Sequence, residues 1–180
     1  MRRNLLLLLL VLPLSAFARN WNVDAAKSSL TFKGTYQGDA FTGTFKKFAA
    51  TIAYDAANTT TSKFDVSVDL ASVDSGSGER DQTLATADFF DSGKFPQAHF
   101  VSESFAKSAD GSIEAKGVLT IRGQTKPVTL KVTFTENGNA ATLDVDTLLK
   151  RADFGLGKSS DWADVGADVT VHGHVVLTAE

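Results

Sequence analysis

Few residues in the chain have side chains suited to chemistry, and their spacing limits what that chemistry can be. There are three histidines and no cysteine. His172 and His174 are two positions apart, so on a strand they share a face and could form two arms of a metal site. A firm site wants three or four ligands, and no third is fixed by spacing. Because that face reads as the polar, outward one, solvated surface histidines are the expectation. His99 follows Phe95-Pro96-Gln97-Ala98, and no sequence neighbour orients it as a general base requires. Without cysteine there are no disulfides, thiolate ligands or thiol nucleophiles.

The remaining polar clusters support catalysis no better. Ser75-Gly76-Ser77-Gly78 reads as a flexible polar turn, without the hydrophobic strand-to-helix setting of a nucleophile elbow. Asp88 and Asp91 bracket Phe89-Phe90 and suit turn capping better than a carboxylate pair. Gly155-Leu156-Gly157-Lys158 lacks the spacing of a phosphate-cradling loop. Two arginines stand out: Arg80, followed by Asp81, and Arg151 in Arg151-Ala152-Asp153-Phe154-Gly155. Placed at the mouth of a barrel, they could grip a pyrophosphate or other polar headgroup by bidentate contacts. Alternatively, each pairs with its neighbouring aspartate and pins a loop.

The elements that must position these groups are almost all strands. Period-two alternation runs through Leu30-Phe32-Gly34, Phe64-Val66-Val68-Leu70, Ile113 to Ile121, Val128-Leu130-Val132-Phe134 and Val169 to Leu177, with polar residues between. From Phe41 to Tyr54 the apolar parity changes between Phe45 and Phe48, which predicts a bulge at Lys46-Lys47. Asp110-Gly111, Gly123-Gln124 and Asn137-Gly138 are turn signals. One short helix is predicted from Gly78 to Ala87, ending at Phe89-Phe90. About eight antiparallel strands should close into a barrel that leaves no unpaired edges, although a sandwich satisfies the same alternation. The small inward residues Ala115, Gly117 and Gly173 fit either unfilled interior volume or relief of crowding at a bend.

The ends and the charge set the envelope. Residues 1–18 read as an export signal: Arg2 and Arg3, the apolar run Leu5 to Leu12, then Ala16-Phe17-Ala18. The run is shorter than the roughly 20 residues a spanning helix needs, and no transmembrane segment is expected elsewhere. The formal net charge is −3, and losing Arg2 and Arg3 makes the mature chain, residues 19–180, more acidic. An acidic balance argues against nucleic acid as a partner.

An ordered set of motifs spans nearly the whole mature chain. It begins with Trp21-Asn22-Val23-Asp24, Ser29, Phe32 and Gly43-Thr44-Phe45. It continues through Val73-Asp74-Ser75-Gly76, Glu79-Arg80-Asp81, Leu84, Asp88-Phe89-Phe90-Asp91 and Phe95-Pro96. Next come Gly117 to Gly123 and Pro127-Val128, and the set ends with Arg151 to Gly155 and Val165-Gly166. In this set the chain resembles the YceI-like family of bacterial, mostly periplasmic proteins. The departures are Tyr36 and Gln82-Thr83, where family members often carry histidine.

The resemblance implies an all-β fold: an extended eight-stranded antiparallel lipocalin-like barrel with one short helical segment. Its lumen would hold a polyisoprenoid chain or isoprenoid quinone. On that reading the protein is a periplasmic binding or carrier protein with no cofactor beyond the bound lipid. The tail would lie among Phe32, Val66, Val68, Leu119, Leu130 and Phe134, with Arg80 and Arg151 at the headgroup. The oligomeric state stays open, homodimer included. Two competing readings are a small exported hydrolase or isomerase using His99 or Asp88 and Asp91, and a structural barrel with a solid core.

Overall fold

A computed structural model describes residues 18–109 and 112–180. The predicted export signal, apart from Ala18, and the turn predicted at Asp110-Gly111 lie outside the described residues. Eleven strand segments make eight wall positions, because the first three long strands are each broken once. β1 (Arg19–Val23) and β2 (Ser29–Tyr36) both run antiparallel to the last strand, β11 (Asp168–Ala179). β3 (Asp39–Phe45) pairs with β2, and its continuation β4 (Phe48–Tyr54) pairs with β1. β5 (Lys63–Asp69) pairs with β4, and β6 (Val73–Asp74) with β3. β7 (Gln97–Lys107), β8 (Ile113–Ile121), β9 (Gln124–Asn137) and β10 (Ala140–Lys150) complete the meander. The β1–β11 pairing closes it into an eight-stranded antiparallel barrel, so the wall has no long edge on which to aggregate.

At Lys46-Lys47, where a bulge was expected, the strand breaks into β3 and β4 with different partners, and the backbone groups there are satisfied across the wall. The Lys46 N–H donates to the Ser72 carbonyl at 3.1 Å, and the Lys47 N–H to Ser72 Oγ at 3.0 Å. The Lys46 ammonium lies 2.6 Å from Asp74. Its hydrogen bond, with one from the Gly76 N–H, holds the Asp74 carboxyl below its ordinary range. The tight hairpins use positive backbone φ as their geometry demands: Gln37-Gly38 joins β2 to β3, and Arg122-Gly123 joins β8 to β9, one residue earlier than the sequence suggested.

Gly117 and Gly173 relieve crowding; they do not mark open volume. A Cβ on Gly117 would run into the Val101 carbonyl oxygen and the Phe100 ring, beside the register shift between Ser102 and Ser104. A Cβ on Gly173 would meet Val145. Ala115 is fully buried in packed core.

Two distinct halves make up the barrel interior. One is filled by aromatic rings: Tyr54 and Phe134 have centroids 4.6 Å apart, Phe64 and Phe105 4.9 Å, and Trp21 and Phe134 5.3 Å. The Trp21 indole N–H donates to the Tyr54 carbonyl at 3.1 Å. Tyr54 is only 1% exposed, and this burial, with Asp55 nearby, raises its phenol above the ordinary 10.0. The other half has a second, smaller core around Leu70, Phe89, Phe90, Ile121 and Phe154.

This second half is roofed by two excursions from the wall. After β6 the chain forms α1 (Gly78–Ala85), capped by Ser77 Oγ and carrying Glu79 and Asp81 in its first turn, where the helix dipole favours acids. Phe89 and Phe90 then turn into the barrel. The second excursion runs from Arg151 to Gly166. It packs against β9 where β10 has left it, since β9–β10 pairing stops at Lys131 and Asp146. Pro127, which has no N–H to donate, falls in that unpaired stretch.

Candidate functional site

Under the two excursions lies an apolar cavity of about 160 Å³. Leu30 and Phe32 of β2, Val68 of β5, Leu119 and Ile121 of β8, and Val169 and Val171 of β11 form its walls; Phe89, Phe90, Phe154 and Leu156 form its roof. Each strand contributes alternate residues, because only the inward set reaches the lumen. Phe32 lies between Phe45, with centroids 5.4 Å apart, and Phe41, at 6.2 Å. A vestibule of about 430 Å³ with a mixed lining adjoins the cavity, its polar groups coming from Tyr36, Ser77, Glu79, Arg80, Thr83 and Trp162. Phe41, Leu84, Phe89 and Val165 line both spaces and form the partition between them.

The two arginines occupy different positions in this arrangement. Arg80 lines the vestibule with its guanidinium 4.2 Å above the Phe41 ring, a cation–π contact. Among the described residues its one side-chain hydrogen bond goes to the Ser75 carbonyl at 3.0 Å, which leaves donors facing the vestibule. Asp81 accepts instead from the Ser75 N–H and hydroxyl, at 2.9 and 2.6 Å. Arg151 directs every guanidinium N–H at a backbone carbonyl: Gly166, Leu156, Gly157, Trp162 and Val165. It pins the roof, as one of the two sequence readings held, but through carbonyls and not through Asp153. No N–H of Arg151 remains to reach a headgroup.

Of the residues expected at the tail, Phe32, Val68 and Leu119 line the cavity. Val66, Leu130 and Phe134 also point inward, but they pack against the filled half. Periodicity identified the inward face of each strand and carried no signal for depth along the barrel axis. It also missed the roof, although adjacent aromatics in the otherwise polar Asp88-Phe89-Phe90-Asp91 were a usable sign. Phe89 stacks edge-on against Trp162 at 4.9 Å, and Trp162 Nε1 donates to Asp88 at 3.1 Å. Tyr36 and Thr83, at or beside the positions where the family resemblance led us to expect histidine, both line the vestibule.

All three histidines are held by aspartates across the sheet. His99 Nε2 lies 2.7 Å from Asp65, His172 Nδ1 2.8 Å from Asp146, and His174 Nδ1 2.7 Å from Asp144. His99 therefore has the partner that sequence spacing did not reveal, and none of the three is simply solvated. These pairs are on the outer face, and neither the cavity nor the vestibule is lined by any of their members. Among the described residues no group of three or more His, Asp or Glu could hold a metal.

Comparison with known proteins fits this architecture. A UPF0312 protein of Vibrio vulnificus is 35% identical over 160 residues, covering 84% of this chain and 85% of that one. The crystal structure of Burkholderia cenocepacia BcnA is 32% identical, with a TM-score of 0.81 over 86% of this chain and 99% of that one. A polyisoprenoid binding domain from Saccharophagus degradans shares 16% identity and a TM-score of 0.67, over 92% of this chain and all of that one. At that identity the likeness is one of fold. The model of the YceI-like domain matches residues 21–177, and the chain belongs to that family.

Proposed function

We propose that the protein binds and carries an isoprenoid lipid, a polyprenyl chain or isoprenoid quinone, in the periplasm. The tail lies in the apolar cavity and the headgroup in the vestibule beside Arg80. The observation that carries this reading is the pairing of an almost wholly apolar cavity with an adjoining vestibule that offers polar groups. Such an arrangement suits an amphiphile, since each buried CH₂ contributes about 0.8 kcal/mol and a long tail needs few polar contacts. Phe32, Val68 and Leu119 contact the tail, and Arg151 holds the roof over it. The fold shared with a polyisoprenoid binding domain adds support by analogy. The hydrolase or isomerase reading has less in its favour, because His99 lies outside both spaces and Asp88 is engaged by Trp162.

One preparation tests the reading. Protein recovered from the periplasmic fraction should begin at Arg19, and mass spectrometry of its organic extract should find an isoprenoid lipid in near-stoichiometric amount. An extract without lipid from well-folded protein would favour the solid-core alternative. A retained N-terminal segment would contradict export.

A further inference from the structure

We infer that Phe41 is a gate between vestibule and cavity, latched by Arg80, so that a tail enters when its headgroup draws the guanidinium away. The inference rests on the lipid-binding reading and adds what the site demands of its ligand: an anionic group, such as a phosphate, joined to the apolar chain. Four residues line both spaces, and three of them are fixed. Phe89 packs edge-on against Trp162. Val165 is bridged to Tyr36, and its carbonyl accepts from Arg151. Leu84 sits in α1, where its carbonyl accepts from the Phe90 N–H at 2.9 Å. Phe41 is the member with room to turn.

The strand it stands on provides that room. β3 pairs with β2 along its length, but on its other side β6 reaches only Thr44 and Phe45, so Phe41 lies in an edge segment. Opposite it in β2 is Gly34, and the ring tip leans over that glycine, where a Cβ would be 3.1 Å from Phe41 Cζ. On the cavity side the ring meets Phe32 edge to face, with centroids 6.2 Å apart. On the vestibule side the Arg80 guanidinium covers it at 4.2 Å. Among the described residues that guanidinium is tied by one hydrogen bond, to the Ser75 carbonyl at 3.0 Å. A phosphate offers Arg80 two parallel charge-assisted hydrogen bonds, which outweigh contact with one ring face. A prenyl alcohol offers a single hydroxyl. An anionic headgroup in the vestibule therefore unlatches Phe41, and the tail passes the ring into the cavity.

The test is stopped-flow binding of farnesol and farnesyl phosphate to delipidated protein, followed by the fluorescence of Trp162 in the vestibule wall. In about 1 M salt the Debye length is about 3 Å, so charge steering does not separate the two ligands. Farnesyl phosphate should associate with wild type at least about tenfold faster than farnesol. Arg80→Ala should speed the entry of farnesol by about tenfold, whereas an arginine that only bound the headgroup would leave that rate unchanged. Phe41→Leu keeps Arg80 and an apolar side chain, and should bring the two rates within about threefold of each other. It tests the gate alone if Arg80→Ala lacks native near-ultraviolet circular dichroism. Equal rates in wild type, the wild-type ratio retained in Phe41→Leu, or farnesol entering folded Arg80→Ala no faster would overturn the gate and leave the lipid reading intact. Failure of both ligands to bind wild type would remove the lipid reading itself, and the inference with it.

Discussion

Arg151 shows how one side chain can hold a roof in place. Its five N–H groups satisfy five carbonyls of the excursion that covers the cavity. Hydrogen bonds to a charged group contribute about 1.5–3 kcal/mol each, although not additively. Arg151→Met should therefore lower stability by about 3 kcal/mol or more in urea unfolding. Arg80→Met should lower stability by about 1.5–3 kcal/mol, less than Arg151→Met does, since it loses one carbonyl bond and a ring contact. It should weaken binding of a prenyl phosphate more than that of the matching prenyl alcohol, read by displacement of a fluorescent prenyl probe. The sequence marked both arginines as noteworthy and could not separate them, because Arg151's partners are backbone carbonyls of residues 156–166, whose path around the guanidinium leaves no sequence signal. Tyr54 supports a pH prediction. Burial raises its phenol above 10.0, so its contribution is complete below the unfolded value. It is lost as the pH rises from about 10 toward the folded value. Tyr54→Phe should lose less stability than wild type between pH 9 and 11 in thermal melts, at about those pH values where an ordinary tyrosine ionises.

Among the elements, β7 and β8 best show what alternation reveals and what it leaves out. The inward set Ala115-Gly117-Leu119-Ile121 of β8 was readable from period two, whereas β7 was not read as a strand. The register shift at Ser102 and Ser104 was not readable, because it depends on how β7 meets its neighbour. That shift explains why Gly117 must be glycine. Gly117→Ala should cost about 1–3 kcal/mol, measured by denaturant unfolding, since the methyl group meets backbone oxygen and an aromatic ring. A neutral result would show that the β7–β8 contact relaxes easily. The break at Lys46-Lys47 was legible because a change of parity is itself a sequence signal. The breaks in the other two composite strands were not: residues 24–28 resemble an ordinary polar loop, and at Leu70–Ser72 the apolar alternation runs on unbroken to the buried Leu70.

For the molecule as a whole, the family resemblance supplied the closed barrel that alternation left open, and the closed β1–β11 seam agrees with it. Which half of the barrel is open is a matter of side-chain volume along the axis, and that emerges only when eight strands are in register. Whether the open half receives a lipid tail, as proposed, is decided at Leu119, which packs at the boundary of the two halves. The measurement is thermal unfolding of delipidated wild type and Leu119→Trp, alongside binding of a fluorescent isoprenoid analogue. If the cavity is a tail site, the indole occupies volume the lipid needs. Unliganded stability should then fall by less than about 1 kcal/mol, below the 1–3 kcal/mol typical of overpacking a filled core, while affinity drops by at least about tenfold. A strongly destabilised unliganded variant, or a stable one that binds the analogue as well as wild type does, would contradict the claim.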